Sequence, residues 1–185
     1  MDAVEQAFKT IHREDFVLEY LRDQAAIDAP MPIGFGQTIS QPSTVRMMLN
    51  WLGVRPGEKI LDIGSGSGWT PALLSRLTGP SGQVLAVEKV PELVKMGRDN
   101  CQKAGIKNVK FFQAGSQYGR LESAPYDRIL VDASADKLPE VILSQLKVGG
   151  KLVIPIQNDI LEITKTSDHG FDTETHPGFI FVPLL

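Results

Sequence analysis

Residues 60–70 read ILDIGSGSGWT, and the fold follows from them. The apolar stretch Ile60 to Ile63 runs into Gly64, Gly66 and Gly68, and a helix-compatible run from Pro71 to Leu77 follows. This is the pattern of strand, tight turn and helix. Glycines suit such a turn because the backbone reverses without a Cβ in the way and a ligand can approach the amides at the helix N-terminus. A dinucleotide fingerprint would place its third glycine at position 69, where this chain has Trp69, so the NAD reading loses ground. Glu88 supports a nucleotide-type ligand of another kind. It ends the apolar run Val84 to Val87, at the carboxyl end of the next strand, where a carboxylate can accept both hydroxyls of a ribose. Two plainer readings stand beside this one: a purely structural strand-to-helix turn, and a solvated strand end ahead of a helix opened by Pro91.

Outward from this turn the chain keeps an alternating rhythm. Short apolar runs occur at 60–63, 84–88, 109–112, 128–132 and 151–156, with helical stretches between most of them and Pro-Gly, Gly-Pro or Gly-Gly punctuation. Continuous apolar runs fit strands covered on both faces, so an α/β, doubly wound, mostly parallel sheet is expected, with its ligand beyond the strands' carboxyl ends. Two more strands, Leu161 to Thr166 and Phe179 to Val182, are expected to form a closing antiparallel hairpin and bring the sheet to seven. Before residue 50, periodic stretches at Val4 to Ile11 and Phe16 to Gln24 predict a helical cap over the crevice. One domain is expected over 1–185: cap and substrate loop to residue 50, and a cofactor-binding core from 51.

Composition limits the function classes. A net charge of −3, a pI near 5.6 and no run of Lys or Arg offer nothing to a phosphate backbone, so nucleic acid is not the expected substrate. The first residues lack the apolar core of a signal peptide, and no stretch is long enough to span a membrane, so a cytoplasmic protein is expected. Cys101 shares a helical face with Leu93, Val94 and Gly97 and reads as a core filler. His12, His169 and His176 are scattered without metal-ligand spacing, and no metal is expected.

Asp62 completes the string D-x-G-x-G-x-G, which resembles motif I of class I methyltransferases that bind S-adenosylmethionine. Residues 28–42, DAPMPIGFGQTISQP, are similar to the signature of the protein-L-isoaspartate O-methyltransferase family, with Met31 where leucine is usual. APYDRILVDASAD, QLKVGGKLVIPI and the terminal FVPLL resemble further segments, so the likeness covers roughly residues 5 to 185. A structural reading of residues 28–42 is a loop stiffened by Pro30, Pro32 and Pro42, which alone would not require Gln37-Thr38-Ile39-Ser40.

The resemblance implies methyl transfer from S-adenosylmethionine, leaving S-adenosylhomocysteine, to the α-carboxylate of L-isoaspartyl residues in damaged proteins or peptides. The methyl ester then cyclises to a succinimide, whose hydrolysis restores some normal aspartate. It implies Ser40 as the catalytic residue that orients the carboxylate, with Thr38, Ile39, Ala133 and Ser134 at the substrate. It implies cofactor contacts from Asp62, Gly64, Ser65, Gly66, Gly68, Glu88, Lys89, Gly115 and Ser116, and a monomer. Ser40 also stands where it could cap a helix starting at Pro42. Since a carboxylate is already deprotonated near neutral pH, no general base is required.

The chain departs from the family pattern in three places. Few residues precede the matching N-terminal segment. Ala114-Gly115-Ser116 stands where an acid usually contacts adenine. Asp132 stands where Thr or Gly is usual, and would repel a substrate carboxylate unless Arg128, Lys137 or another cation pairs it. Other readings are a methyltransferase of this fold with a different acceptor and a non-catalytic isoaspartyl-binding relative.

Overall fold

The computed structural model describes residues 2–184. The chain opens with α1 (Ala3–Thr10), capped by the Asp2 side chain, and continues through single 3₁₀ turns at Arg13–Asp15 and Glu19–Gln24. The periodic stretch 16–24 is therefore not an α-helix: 16–18 are irregular and only 19–24 are 3₁₀. The proline-rich loop contains a small hairpin, β1 (Met31–Gly34) and β2 (Gln37–Ile39), where sequence suggested irregular chain. α2 (Pro42–Leu52) starts with Pro42 in its first turn and ends on Gly53 in the left-handed conformation.

The core follows as β3 (Lys59–Ile63), α3 (Trp69–Thr78), β4 (Gln83–Glu88), α4 (Pro91–Lys103), β5 (Val109–Gln113), β6 (Tyr126–Val131), α5 (Glu140–Ser144), β7 (Leu146–Ile156), β8 (Asp159–Lys165) and β9 (Phe171–Pro177). One seven-stranded sheet has the order β5-β4-β3-β6-β7-β8-β9. The pairs from β5 through β7 are parallel, and β7-β8-β9 are antiparallel. The expected doubly wound, mostly parallel architecture is thus present, but its final strand is not Phe179 to Val182. Phe171–Pro177 pairs with β8 instead, and residues 179–182 run as irregular chain back toward Ser134, which bridges Pro183. The turn between β8 and β9 is correspondingly shorter, with Asp172 inside the strand.

Both sheet faces are buried, which explains the unbroken apolar runs. Ile60, Val84, Ala86 and Leu130 face one core layer shared with α1, α2, α3 and α4. Leu61, Ile63, Leu85, Val87 and Ile129 face a second layer that includes Ile142 of α5. β9 is different, because every residue in it except His176 is exposed. Within the order, β3 was laid down first and lies between β4 and β6. The chain turns from one side of β3 to the other there, which opens a crevice at the carboxyl ends of β3 and β6.

Candidate functional site

The glycine turn is built by close packing. Gly68 caps α3 at φ 93°, and a Cβ there would stand 2.8 Å from the Gly97 carbonyl of α4, so this glycine lets two helices meet. Gly66, at φ 48°, has Ile33 of the hairpin against it, with 3.0 Å left for a Cβ. Glu88, 7% exposed, fastens the turn to β4: one carboxylate oxygen accepts from the Gly66 amide at 2.9 Å and the other from the Val90 amide at 3.0 Å. Each oxygen retains a lone pair toward the cavity, which Glu88 lines.

The hairpin forms the opposite wall. Its anchor is Arg13, which sequence reading did not single out. Only 7% exposed, its guanidinium donates to the carbonyls of Ala25 at 2.9 Å, Ala29 at 2.8 Å and Ser40 at 3.0 Å, and more weakly to Ile27 and Ile39. It also lies over the Trp69 ring at 5.4 Å. Burial lowers its pKa to about 10, against a partly compensating Asp28 charge, so it stays cationic at neutral pH. Asp28 closes the loop on itself, accepting from the Ser43 amide at 2.8 Å and Gln41 Nε2 at 3.1 Å. α2 therefore takes its first-turn bond from Asp28, not from Ser40 acting as a cap, and the helix starts beyond Gln41.

Between these walls lies a cavity lined by Thr38, Ile39, Ser40, Gly64, Ser65, Gly66, Glu88, Lys89, Gly115, Ser116 and Ala133 from the expected set. Three expected residues do not line it. Asp62 is fully buried beneath it, Gly68 serves helix packing, and Ser134 sits behind Pro183 with its hydroxyl on the Gln157 carbonyl at 3.1 Å. Gln117, the alternative to Ser116 as a polar contact for adenine, lines it too, as do residues not singled out: Ile33, Gln37, Ser67, Trp69, Thr70, Tyr118, and Val182 to Leu184 from the far end of the chain. Thr70 and Trp69 were legible only as the continuation of the glycine turn, and 182–184 read as part of a closing segment, not as cavity wall. Near Gly115, Ser116 and Gln117 supply the polar side chains in the absence of an acid.

Ser65 Oγ, Ser67 Oγ and Trp69 Nε1 are buried without a hydrogen-bond partner on this same wall. Buried donors left open around a cavity fit a ligand that brings acceptors. At its floor Asp132 receives the Thr70 hydroxyl and lies against the Asp62 carboxyl. Neither cation near it in sequence pairs it: Arg128 is committed to Glu58 at 2.9 Å, and Lys137 is not among its partners. Burial, foremost, raises the Asp62 carboxyl well above the usual range, with the adjacent Asp132 adding to it, and burial pushes Asp132 up to about 7.

Cys101 lies in the core with its thiol on the Gly68 carbonyl, and burial pushes its pKa up to about 12, so it is not a nucleophile. The sheet edge brings His176 close to Glu162 and Glu174, which its isolated position in sequence did not show. Lys151 already pairs Glu162, and His176 stacks on Trp51 at 3.8 Å.

The model of the protein-L-isoaspartate(D-aspartate) O-methyltransferase family matches residues 1–185. A protein-L-isoaspartate O-methyltransferase of Methanothrix thermoacetophila is 45% identical over 187 residues, spanning 100% of this chain and 88% of that protein. A solved protein-L-isoaspartate O-methyltransferase superposes with a TM-score of 0.90 at 30% identity over 99% of this chain, which spans 61% of that longer one. A second, from Plasmodium falciparum and in complex with S-adenosyl-L-homocysteine, gives 0.87 at 28% identity, covering 100% of this chain and 91% of that one. This chain belongs to the protein-L-isoaspartate(D-aspartate) O-methyltransferase family.

Proposed function

We propose that this protein methylates the α-carboxylate of L-isoaspartyl residues in damaged proteins or peptides, using S-adenosylmethionine. The observation that carries the reading is one cavity with the Thr38-Ile39-Ser40 segment on one wall and the glycine turn with Glu88 on the other. The cofactor supplies an electrophilic methyl on a sulfonium. The chain's own contribution is alignment and exclusion of water. The Ser40 hydroxyl orients the substrate carboxylate, with Thr38, Ile39 and Ala133 beside it. Ile33, Ile39 and Trp69, each at most 5% exposed, keep that wall dry. Glu88 takes the ribose hydroxyls, the open Ser65 and Ser67 hydroxyls offer donors from the glycine turn, and Ser116 and Gln117 serve adenine.

Labelled methyl transfer to an L-isoaspartyl peptide, with the matching L-aspartyl peptide as control, tests the reading; transfer to both or to neither defeats it. Glu88→Ala is expected to weaken cofactor affinity at least tenfold in equilibrium titration, since the variant loses both the ribose acceptor and the clamp on Gly66. Unchanged affinity would remove the ribose assignment. Ser40→Ala is expected to lower turnover about tenfold or more with cofactor affinity within twofold, and a fully active variant would take Ser40 off the list of catalytic residues.

We read the chain as one domain, monomeric and cytoplasmic, acting on protein and not on nucleic acid. Its net charge of −3 and pI near 5.6 support the last point, and among the described residues no helix is long and apolar enough to cross a membrane.

A further inference from the structure

Asp62 is the last residue but one of β3 and Asp132 directly follows β6, the two strands that flank the crevice. The Asp132 amide donates to the Ile63 carbonyl at 2.9 Å, which fixes the two carboxyls side by side. Asp62 is 0% exposed, and Asp132 lies between it and the cavity. The Thr70 hydroxyl of α3 donates to Asp132 Oδ2, while Asp132 Oδ1 and both Asp62 oxygens are buried with no other donor. Glu88 of β4 adds a further negative charge, and Cys101 of α4 is the remaining titratable group facing Asp62. Among the described residues, no Lys, Arg or His ion-pairs with either acid.

Two adjacent buried carboxyls cannot both ionise without a counter-charge, so they share a proton. The protein supplies no cation, whereas S-adenosylmethionine carries two, an α-ammonium and a sulfonium. We propose that the Asp62–Asp132 pair is the anionic pole of this chain's cofactor site, holding one proton in the ligand-free protein and releasing it to solvent when a cationic group of S-adenosylmethionine takes its place. The pair passes from carboxylic acid plus carboxylate to two carboxylates, and the cofactor's positive charge balances the proton lost. This also answers the repulsion expected of Asp132, because once its charge is matched by the cofactor it no longer opposes a substrate carboxylate. The inference rests on S-adenosylmethionine being the cofactor, and deepens that reading through a residue at which this chain departs from the family pattern.

Calorimetric titration of the whole protein with S-adenosylmethionine near pH 7, in two buffers of different ionisation enthalpy, counts the protons. Release of between about half and one proton per cofactor is expected, with affinity rising toward tenfold between about pH 6 and pH 7. In the double variant Asp62→Asn/Asp132→Asn the release should vanish and the affinity become flat with pH. Thr70→Val, which removes the donor that favours the ionised form of Asp132, should move the rise to higher pH. S-adenosylhomocysteine keeps the ammonium and lacks the sulfonium charge: equal release with it assigns the contact to the ammonium, and lost release assigns it to the sulfonium. Tight binding with no proton released, or release undiminished in the Asp62→Asn/Asp132→Asn double variant, overturns the proposal and leaves the methyltransferase reading intact. Failure to bind the cofactor at all defeats both.

Discussion

Arg13→Ala is expected to destabilise the protein by about 3–4 kcal/mol and to cut turnover on an isoaspartyl peptide by well over tenfold, with cofactor affinity little changed. The guanidinium gathers carbonyls from residues 25, 27, 29, 39 and 40 onto one buried centre. Hydrogen bonds to a charged donor contribute about 1.5–3 kcal/mol each, and truncation leaves several buried carbonyls without a donor. The bonds to residues 39 and 40 are the ones that matter for turnover, since they set the height of the Ser40 hydroxyl against the glycine turn. Cofactor affinity is spared because Glu88, the Gly66 amide and the Val87 carbonyl hold the opposite wall independently. Lysine should not rescue, because an ammonium cannot spread its donors over both sides of a planar fork. Urea unfolding and labelled methyl transfer measure the two effects, and a variant of native stability and turnover would show that the hairpin holds itself.

The second large effect is on stability as a function of pH. Both acids of the buried pair have folded pKa values above the usual 3.8, with Asp132 at about 7, so between about pH 4 and pH 7 the folded protein holds a proton the unfolded chain has lost. Their contribution is therefore greatest at acid pH and is eroded as pH rises through that window. Asp132→Asn removes the part of this penalty that belongs to Asp132. In the absence of cofactor the variant should be more stable than the native chain by about 3 kcal/mol near pH 8, a gap that closes toward about pH 4. Denaturant midpoints at the two pH values test this, and a variant less stable at about pH 8 would contradict it. The same change that stabilises the ligand-free fold is expected to weaken cofactor binding, so the pair trades stability for function.

Where both faces of a strand are buried, sequence was a sufficient guide. Ile60 to Ile63 and Val84 to Val87 read as strands because every position packs against something. The same logic failed at the last strand. Phe171–Pro177 reads FDTETHP, exposed except at His176 and held by its ladder to β8 and the His176 stack on Trp51, so it carries no hydrophobic signal. Phe179 to Val182 carries that signal, yet it lies between Gly178, at φ 94°, and Pro183 as irregular chain whose Phe179 and Phe181 pack on the core while Val182 lines the cavity. At the site, residues inside a motif were legible, including Glu88 and the glycines. Arg13 was not, because its partners are backbone carbonyls, which leave no trace in side-chain identity. The meaning of Asp132 was likewise hidden, since its partners Thr70 and Asp62 lie 62 and 70 positions away in the chain.

β9 has a further consequence beyond closing the sheet. An outermost strand is a template onto which another extended segment can add. Here the rim carries Asp172 and Glu174 with Thr173 and Thr175 between them, and ends on Pro177, which has no amide hydrogen to offer. An edge of alternating acids and threonines that stops at a proline gives an incoming extended segment little to pair with.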